Sequence, residues 1–220
     1  MKFLQKKLSS NRKHVRVLLF GIRVFSYKAK NTAENVVGNG NVVQLPKNSM
    51  ITVYIRGNNN RVIVEETTHN PGFAITLFAG TEPVNNCTVH IGKNFSVGSG
   101  EIRICEDNTI VEIGDDCMFS DDIKLFASDT HTILRDGKVS NIGKHIKIGN
   151  HVWLGHGATV LKNTTIPDNS IVGARSVVVG MIRENGSIIA GNPARVIRDG
   201  VNWDRRCPKQ YMAQEDVSAN

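Results

Sequence analysis

The feature that most constrains the fold of this 220-residue chain is a period of six residues in its second half. Every sixth position is a branched aliphatic residue at Ile142, Ile148, Leu154, Val160, Ile166, Val172 and Val178. The position four residues further on is small or β-branched, at Val152, Ala158, Thr164, Ser170 and Ser176. Neither an α-helix nor simple alternation along a strand produces this spacing.

A period of six is typical of a solenoid in which short strands alternate with sharp corners. One aliphatic side chain per strand points inward, and Gly or Asn at the corners tolerates the positive φ that corners often need. We therefore predict an all-β parallel β-helix over residues 36–185. Residues 1–35 precede it as a basic N-terminal segment, and residues 186–220 follow it as a C-terminal extension.

The aliphatic ladder fails between Leu125 and Ile142, where the sequence reads FASDTHTILRDGKVSN. We predict a loop over residues 127–141 that is ejected from the solenoid. Loops held by a rigid scaffold often carry function. This loop contains His131, with Asp129 two residues before it.

The net charge of +7 comes from the N-terminal segment. Residues 1–30 hold nine Lys or Arg and no Asp or Glu, which leaves 18 basic and 20 acidic side chains, a charge of −2, on the rest. A nearly neutral body argues against nucleic-acid binding. The apolar stretch from Val15 to Phe25 is shorter than the roughly 20 residues of a membrane span. We predict a helix that packs on the body or on a neighbouring subunit, with peripheral contact to an anionic membrane or polyanion as the alternative.

The cysteines show no regular spacing, and the N-terminus lacks the cleavage pattern of a signal peptide. These features predict a cytoplasmic protein with reduced cysteines, possible membrane contact being limited to the inner face.

Three motifs occur in order around the hexad ladder: S-D-T-H at residues 128–131, V-W-L-G at 152–155 and G-N-P-A at 191–194. Together with the ladder they resemble the hexapeptide-repeat acyltransferases, and among these the bacterial O-acetyltransferases of capsules, lipopolysaccharide and sialic acid polymers. The resemblance runs from about residue 113 to residue 203. It implies a left-handed β-helix, a homotrimer, acetyl-CoA as co-substrate in the groove between two prisms, and no metal.

The resemblance also implies roles for individual residues. His131 is the expected general base, a role that suits an imidazole because it titrates near neutral pH. Asp129 is expected either to orient the imidazole or to be an exposed loop carboxylate. Trp153 is expected to line the acceptor pocket or to hydrogen-bond a ligand. Ser120 and Asn141 match positions around the catalytic loop and are expected to support it by hydrogen bonds.

The late hexads are the expected site of acetyl-CoA. The residues expected to meet its pantetheine arm through their backbone are Gly155, Ala174 and Ser176. The residues expected to face its phosphates, which suit a guanidinium, are Arg175, Arg195 and Arg198. The developing oxyanion needs a donor, for which a backbone N–H near Gly155 and the Trp153 indole are candidates.

The predicted function is acetyl-CoA-dependent O-acetylation of a sugar hydroxyl on a bacterial surface polysaccharide or its precursor. One alternative is N-acetylation of an amino sugar or an antibiotic, and another is a non-catalytic β-helix that binds a polymer. A zinc enzyme of the γ-class carbonic anhydrase type is a further alternative, because His151 and His156 have a suitable spacing. The expected third histidine is replaced there by Asp115 and Asp116.

Overall fold

The computed structural model describes residues 5–8, 14–19, 22–28, 35–47, 49–69 and 71–218. The strands that precede the predicted loop are β1 (Gln5–Leu8), β2 (His14–Leu19), β3 (Ile22–Lys28), β4 (Val36–Val37), β5 (Val42–Gln44), β6 (Thr52–Arg56), β7 (Arg61–Val64), β8 (Ala74–Ala79), β9 (Glu82–Pro83), β10 (Thr88–Ile91), β11 (Ser96–Val97), β12 (Gly100–Ile104), β13 (Ile110–Ile113), β14 (Met118–Phe119) and β15 (Ile123–Phe126). The elements of the loop and of the part after it are β16 (Leu134–Arg135), β17 (Lys138–Val139), β18 (Ile146–Ile148), β19 (Trp153–Leu154), β20 (Thr159–Leu161), β21 (Thr164–Ile166), β22 (Ile171–Val172), β23 (Val177–Val178), β24 (Ile188–Gly191), β25 (Ala194–Arg198) and the helix α1 (Pro208–Ser218).

Three sheets form the sides of one prism. Face 1 consists of β5, β7, β10, β13, β18 and β21; face 2 of β11, β14, β19, β22 and β24, with β25 at its end; and face 3 of β4, β6, β8, β12, β15, β20 and β23. Each strand pairs in parallel with its equivalents in the neighbouring coils, as β18 does with β13 and β21. The predicted all-β parallel β-helix is therefore confirmed. The chain turns at three corners per coil, named 1–2, 2–3 and 3–1 after the faces they join.

The hexad residues form the core as the period of six predicts. From Ile148 to Val178, all six aliphatic residues and all five small residues of the pattern are buried. Ile142 is the exception, with 65% of its side chain exposed. Its assignment to the ladder is wrong because the chain there still belongs to the loop, and it rejoins the prism only at β18.

Side chains at the 3–1 corner form hydrogen bonds between successive coils. The backbone N–H of Asn39 donates to Asn58 Oδ1 (2.8 Å), that of Asn58 donates to Asn85 Oδ1 (2.9 Å), and that of Asn85 donates to Asp107 Oδ1 (2.8 Å). This series of hydrogen bonds explains why the corners are rich in Asn and Asp. It stops at Asp107, and in the next coil the same corner carries the ejected loop.

The N-terminal segment departs from the prediction. Its described residues form an antiparallel sheet in which β1 pairs with β2 and β2 with β3, so the predicted helix is wrong for these strands. The strands HVRVLL and IRVFSYK are rich in β-branched and aromatic residues that alternate with polar ones, a pattern that favours strands. The side chains of residues 1–30, and with them the predicted contact with a membrane or polyanion, lie outside the described residues.

The C-terminal part first adds one strand to the prism and then turns away from the parallel stack. Face 2 gains β24, which pairs in parallel with β22, so the ladder runs past residue 185, where the prediction ended it. β25 then turns back antiparallel to β24. Within the described residues, no helix is long and apolar enough to cross a membrane.

Candidate active site

The predicted loop leaves the prism at the 3–1 corner, after β15, and returns at β18. Its outer half is the hairpin of β16 and β17. The two residues at the tip, Asp136 and Gly137, have φ values of 51° and 71°. Two consecutive left-handed residues, with Asp followed by Gly, are typical of the type I′ turn of a two-residue hairpin. The loop is therefore built by local turn chemistry on a fixed corner of the solenoid.

His131 follows a strained turn at the base of this loop. Its backbone N–H donates to the carbonyl of Asp129, two residues back (2.8 Å), and Thr130 between them has a φ of 69°. This is the pattern of the γ-turn with a positive central φ, the rarer and more strained form. A β-branched residue in the left-handed region is an outlier, and such strain concentrates at functional sites. The His131 side chain is exposed, and within the described chain its ring makes no hydrogen bond.

The Asp129 carboxylate makes no hydrogen bond or ion pair with the His131 ring among the described contacts. Its Oδ2 atom pairs with Lys162 Nζ (2.6 Å) and accepts a hydrogen bond from Asn141 Nδ2 (2.8 Å). The hydrogen bond from Lys162 is the largest influence on this carboxyl group and, against partial burial, holds the pKa of Asp129 below its ordinary value. The structure therefore does not show Asp129 orienting the imidazole directly, which is one of its two predicted roles. Asp129 instead belongs to a network at the base of the loop.

Asn141 is the centre of that network. Its Nδ2 donates to the His131 carbonyl (2.8 Å) as well as to Asp129, and its Oδ1 accepts from the Ile133 backbone N–H (2.8 Å). The sequence placed Asn141 beside the catalytic loop, and its side chain indeed lies there. Ser120 lies elsewhere, at the 2–3 corner after β14, so the structure does not bring it to the loop.

Trp153 lies on face 2 and is covered by the C-terminal segment. In register it stands between Met118 and Ile171, and its ring centroid is 6.1 Å from that of Trp203. Its indole N–H is buried and has no hydrogen-bond acceptor among the described residues. Trp153 is therefore a donor without a partner, on a different face from the loop that carries His131.

His151 and Arg205 attach the C-terminal segment to the 1–2 corner. The His151 ring stacks on Trp203, with centroids 4.1 Å apart. Its Nδ1 lies 2.6 Å from Asp116 Oδ2 and its Nε2 lies 2.9 Å from the Trp203 carbonyl. Arg205 pairs with the same Asp116 (3.0 Å) and reaches the Asn94 carbonyl (3.0 Å). Because hydrogen bonds occupy both ring nitrogens, His151 is not available as the zinc ligand that the carbonic anhydrase alternative needs.

Four of the residues predicted for acetyl-CoA lie at the 2–3 corner, namely Gly155, Ala174, Arg175 and Ser176. Ala174 and Arg175 are exposed there, Arg175 with a φ of 56°. Gly155 is buried, and its N–H donates to the Val172 carbonyl (2.8 Å), so it is not a free oxyanion donor. A Cβ at Gly155 would lie 2.8 Å from the Ala174 nitrogen, which explains the glycine by close packing of two coils. Ser176 is also buried.

The Ser176 hydroxyl bonds to the end of the prism, where its Oγ accepts a hydrogen bond from the Gly191 N–H (3.1 Å). Arg195 and Arg198 are exposed on β25. One chain thus places the predicted base at the 3–1 corner, Trp153 on face 2, and the predicted cofactor residues at the 2–3 corner and on β25.

Two buried thiols, those of Cys87 and Cys117, are poorly suited to act as a nucleophile. Burial raises the pKa of Cys87, and it raises the pKa of Cys117 to about 12. A thiol with a raised pKa carries little of the reactive thiolate. Cys87 and Cys117 are therefore poor candidates for a cysteine-bound acyl intermediate.

The sequence overlooked three residues of these networks, namely Lys162, Trp203 and Arg205. The sequence did offer a signal for Trp203, because the chain has only two tryptophans and each of them stands out. Lys162 and Arg205 had none, because their partners are 20 to 111 residues away in sequence.

Comparison with known proteins agrees with this architecture. The family model described as bacterial transferase hexapeptide (six repeats) matches residues 145–180. The polysialic acid O-acetyltransferase of Neisseria meningitidis is 34% identical over 120 residues, which cover 52% of this chain and 53% of that protein. The chain therefore spans about half the length of this curated relative.

Two crystal structures are similar. That of the polySia-specific acetyltransferase NeuO matches with a TM-score of 0.61 and 26% identity, over 82% of this chain and 89% of its own. That of the polysialic acid O-acetyltransferase OatWY matches with a TM-score of 0.47 and 22% identity, over 81% and 94%.

The coiled parallel sheets form a parallel β-helix, residues 145–180 match the hexapeptide-repeat model, and the resemblance to the hexapeptide-repeat acyltransferases is confirmed. Within that class, the similarity is to polysialic acid O-acetyltransferases, which supports an acyltransferase.

Proposed function

We propose that this protein is an acetyl-CoA-dependent O-acetyltransferase that acts on a sugar hydroxyl of a bacterial surface polysaccharide or its precursor. The observation that carries the proposal is the exposed His131, presented by a strained turn on a loop that is fixed to a rigid prism. The similarity to the N. meningitidis enzyme supports an acidic sugar polymer as acceptor.

The chemistry follows from where His131 sits. A ring nitrogen of the neutral imidazole takes the proton of the acceptor hydroxyl as that oxygen attacks an acyl carbonyl, and then gives the proton to the leaving thiolate. Proton transfer of this kind contributes typically 10²–10⁴-fold to a rate. An exposed side chain on a protruding loop suits a large acceptor, because a polymer can reach it without entering a closed pocket.

The residues at the 2–3 corner and on β25 fit acetyl-CoA by the chemistry of their donors. Arg175 and Arg195 are exposed and carry guanidinium groups that suit phosphate, and Ala174, next to Arg175, is exposed as well. When bound, acetyl-CoA supplies the acetyl group as a thioester. The Trp153 indole N–H is a buried donor with no partner in the described chain, so it is our candidate for stabilising negative charge on the carbonyl oxygen.

A site completed between copies of the chain accounts for the separation of these residues. His131 and the cofactor residues lie at different corners of one prism, whereas neighbouring prisms can bring two different corners together. The loop also exposes four aliphatic side chains, those of Ile133, Leu134, Val139 and Ile142. Exposed apolar patches mark interaction sites. We accordingly propose a homotrimer with the acyl-transfer sites at its interfaces.

The test is acceptor-dependent release of CoA thiol from acetyl-CoA, measured with bacterial surface oligosaccharides and with paired amino and hydroxy sugars. We expect His131→Ala to lower the rate at least ~100-fold, because the base is lost. His69→Ala, which removes an exposed histidine outside the loop, is the matched control and should keep the wild-type rate. A His131→Ala rate equal to wild type would refute the assignment of the base, and preference for the amino sugar would favour N-acetylation.

A further inference from the structure

Lys162 lies in the coil that follows the loop, and its side chain connects the loop to the prism. It lies at the 3–1 corner, just after β20, and only 20% of its side chain is exposed. Its ammonium group lies 2.6 Å from Asp129 Oδ2, 2.6 Å from the Asn141 carbonyl and 3.5 Å from the Ile142 carbonyl. Asp129 is at the start of the loop and Asn141 at its end. One side chain thus joins both ends of the loop to a corner of the solenoid.

The contacts continue from Lys162 to the backbone of His131. Asn141 Nδ2 donates both to Asp129 Oδ2 and to the His131 carbonyl, at 2.8 Å each. The His131 N–H is bound to the Asp129 carbonyl (2.8 Å). Both backbone polar groups of His131 are therefore held by residues that Lys162 contacts directly.

This arrangement explains how the strained turn at Thr130 persists. A non-glycine residue in a sparsely populated region of φ and ψ stays there only when its surroundings hold it. Within the described residues the hydroxyl of Thr130 has one hydrogen-bond partner, Cys105 Sγ at 3.6 Å, and a bond to sulfur is too weak to hold the turn. The stronger contacts come from the charged pair of Lys162 with Asp129 and from the Asn141 amide, because hydrogen bonds to ionised groups are about twice as strong as neutral ones.

We propose that Lys162 is a positioning residue: together with Asp129 and Asn141 it forms a clamp that holds the turn presenting His131. In this arrangement Asp129 acts on the loop through Lys162 and not on the imidazole. The inference rests on the proposed function only for the role of His131 as base, because the clamp itself concerns the conformation of the loop.

Hydrogen exchange of the loop tests the clamp without any assay of activity. We compare wild type, Lys162→Met, Lys162→Arg and Lys144→Met by mass spectrometry of the peptide that spans residues 129–142. Lys162→Met should speed exchange of the Ile133 and Ser140 amides about tenfold or more, since the opening of a segment follows the contacts that hold it. Lys162→Arg should stay close to wild type, because it keeps the charge. Lys144→Met is the matched control: this exposed lysine, between the loop and β18, has a side chain that makes no hydrogen bond or ion pair within the described residues.

Steady-state kinetics separate the clamp from a direct pair of Asp129 with His131. In a clamp, Lys162→Met lowers kcat about tenfold with little change in the KM for acetyl-CoA, and adding Asp129→Asn lowers it little further, because the two residues act as one unit. In a direct pair, Asp129→Asn lowers kcat while Lys162→Met leaves it unchanged, and that result overturns the proposal. Exchange in Lys162→Met equal to wild type also overturns it. A wild-type protein without acetyl transfer would contradict the proposed function, while the exchange measurement still decides the clamp.

Discussion

Replacement of Ser170 by alanine should stabilise the protein. Ser170 belongs to an interior column of face 2 whose side chains shrink toward the C-terminal end, in the order Phe95, Cys117, Val152, Ser170 and Ser187. Ser170 is fully buried, and its hydroxyl has no hydrogen-bond partner among the described residues. The same pattern position two sides earlier along the chain is Ala158, which shows that a methyl group suits the hexad row.

The magnitude follows from the cost of that hydroxyl. Mutational data place the cost of burying an unpaired hydroxyl at about 1–3 kcal/mol, and Ser170→Ala removes the oxygen while it keeps the Cβ atom. The free energy of unfolding should rise by that amount. For a chain of this size, each kcal/mol raises Tm by roughly 2–4 °C. Urea denaturation measures the change as a shift of the midpoint with an unchanged slope.

Ser176→Ala is the matched control, because Ser176 is equally buried but its hydroxyl accepts from the Gly191 N–H. Its loss leaves that N–H without its acceptor and should lower the free energy of unfolding by about 1 kcal/mol. The reasoning is refuted if Ser170→Ala lowers the midpoint as Ser176→Ala does, since the Ser170 hydroxyl must then have a partner.

Two further predictions concern charge and strain. Burial alone would raise the pKa of Asp116, but hydrogen bonds from His151 and Arg205 outweigh it and hold this pKa below its ordinary value. The stabilisation by Asp116 is therefore complete above the unfolded-state value of about 4 and is lost as pH falls through the lowered value, so the difference in unfolding free energy between wild type and Asp116→Asn should shrink in acid. A difference that grows toward low pH would contradict the sign. Thr130→Gly should change the unfolding free energy by only about 1 kcal/mol or less, because relief of the left-handed strain offsets the entropy of glycine, yet it should slow acetyl transfer by loosening the turn at His131. Thermal unfolding and the thiol assay check it, and unchanged activity would mean that the turn does not position the base.

The period of six was sufficient to predict the fold and the inward-facing residues. Each strand is two to six residues long in the prism, so the orientation of a side chain depends on its place in a short local repeat. The same repeat also located the loop, since a break in the ladder marks where the chain must leave the solenoid. Ile142 shows the limit of this signal: it keeps the spacing of the ladder but lies in the returning arm of the loop.

The sequence by itself thus determined the solenoid, its corners and the loop that carries His131, because these depend on local periodicity and turn chemistry. Only the tertiary structure decided that Asp129 pairs with Lys162, 33 residues away, and that Arg205 reaches Asn94, 111 residues away. It also decided that Gly155 is required by the packing of two coils and that the Trp153 indole N–H finds no acceptor in the part of the chain that the structure describes. The physical reason is that stacking sets which corners become neighbours, and the number and length of the intervening coils separate those corners in the sequence.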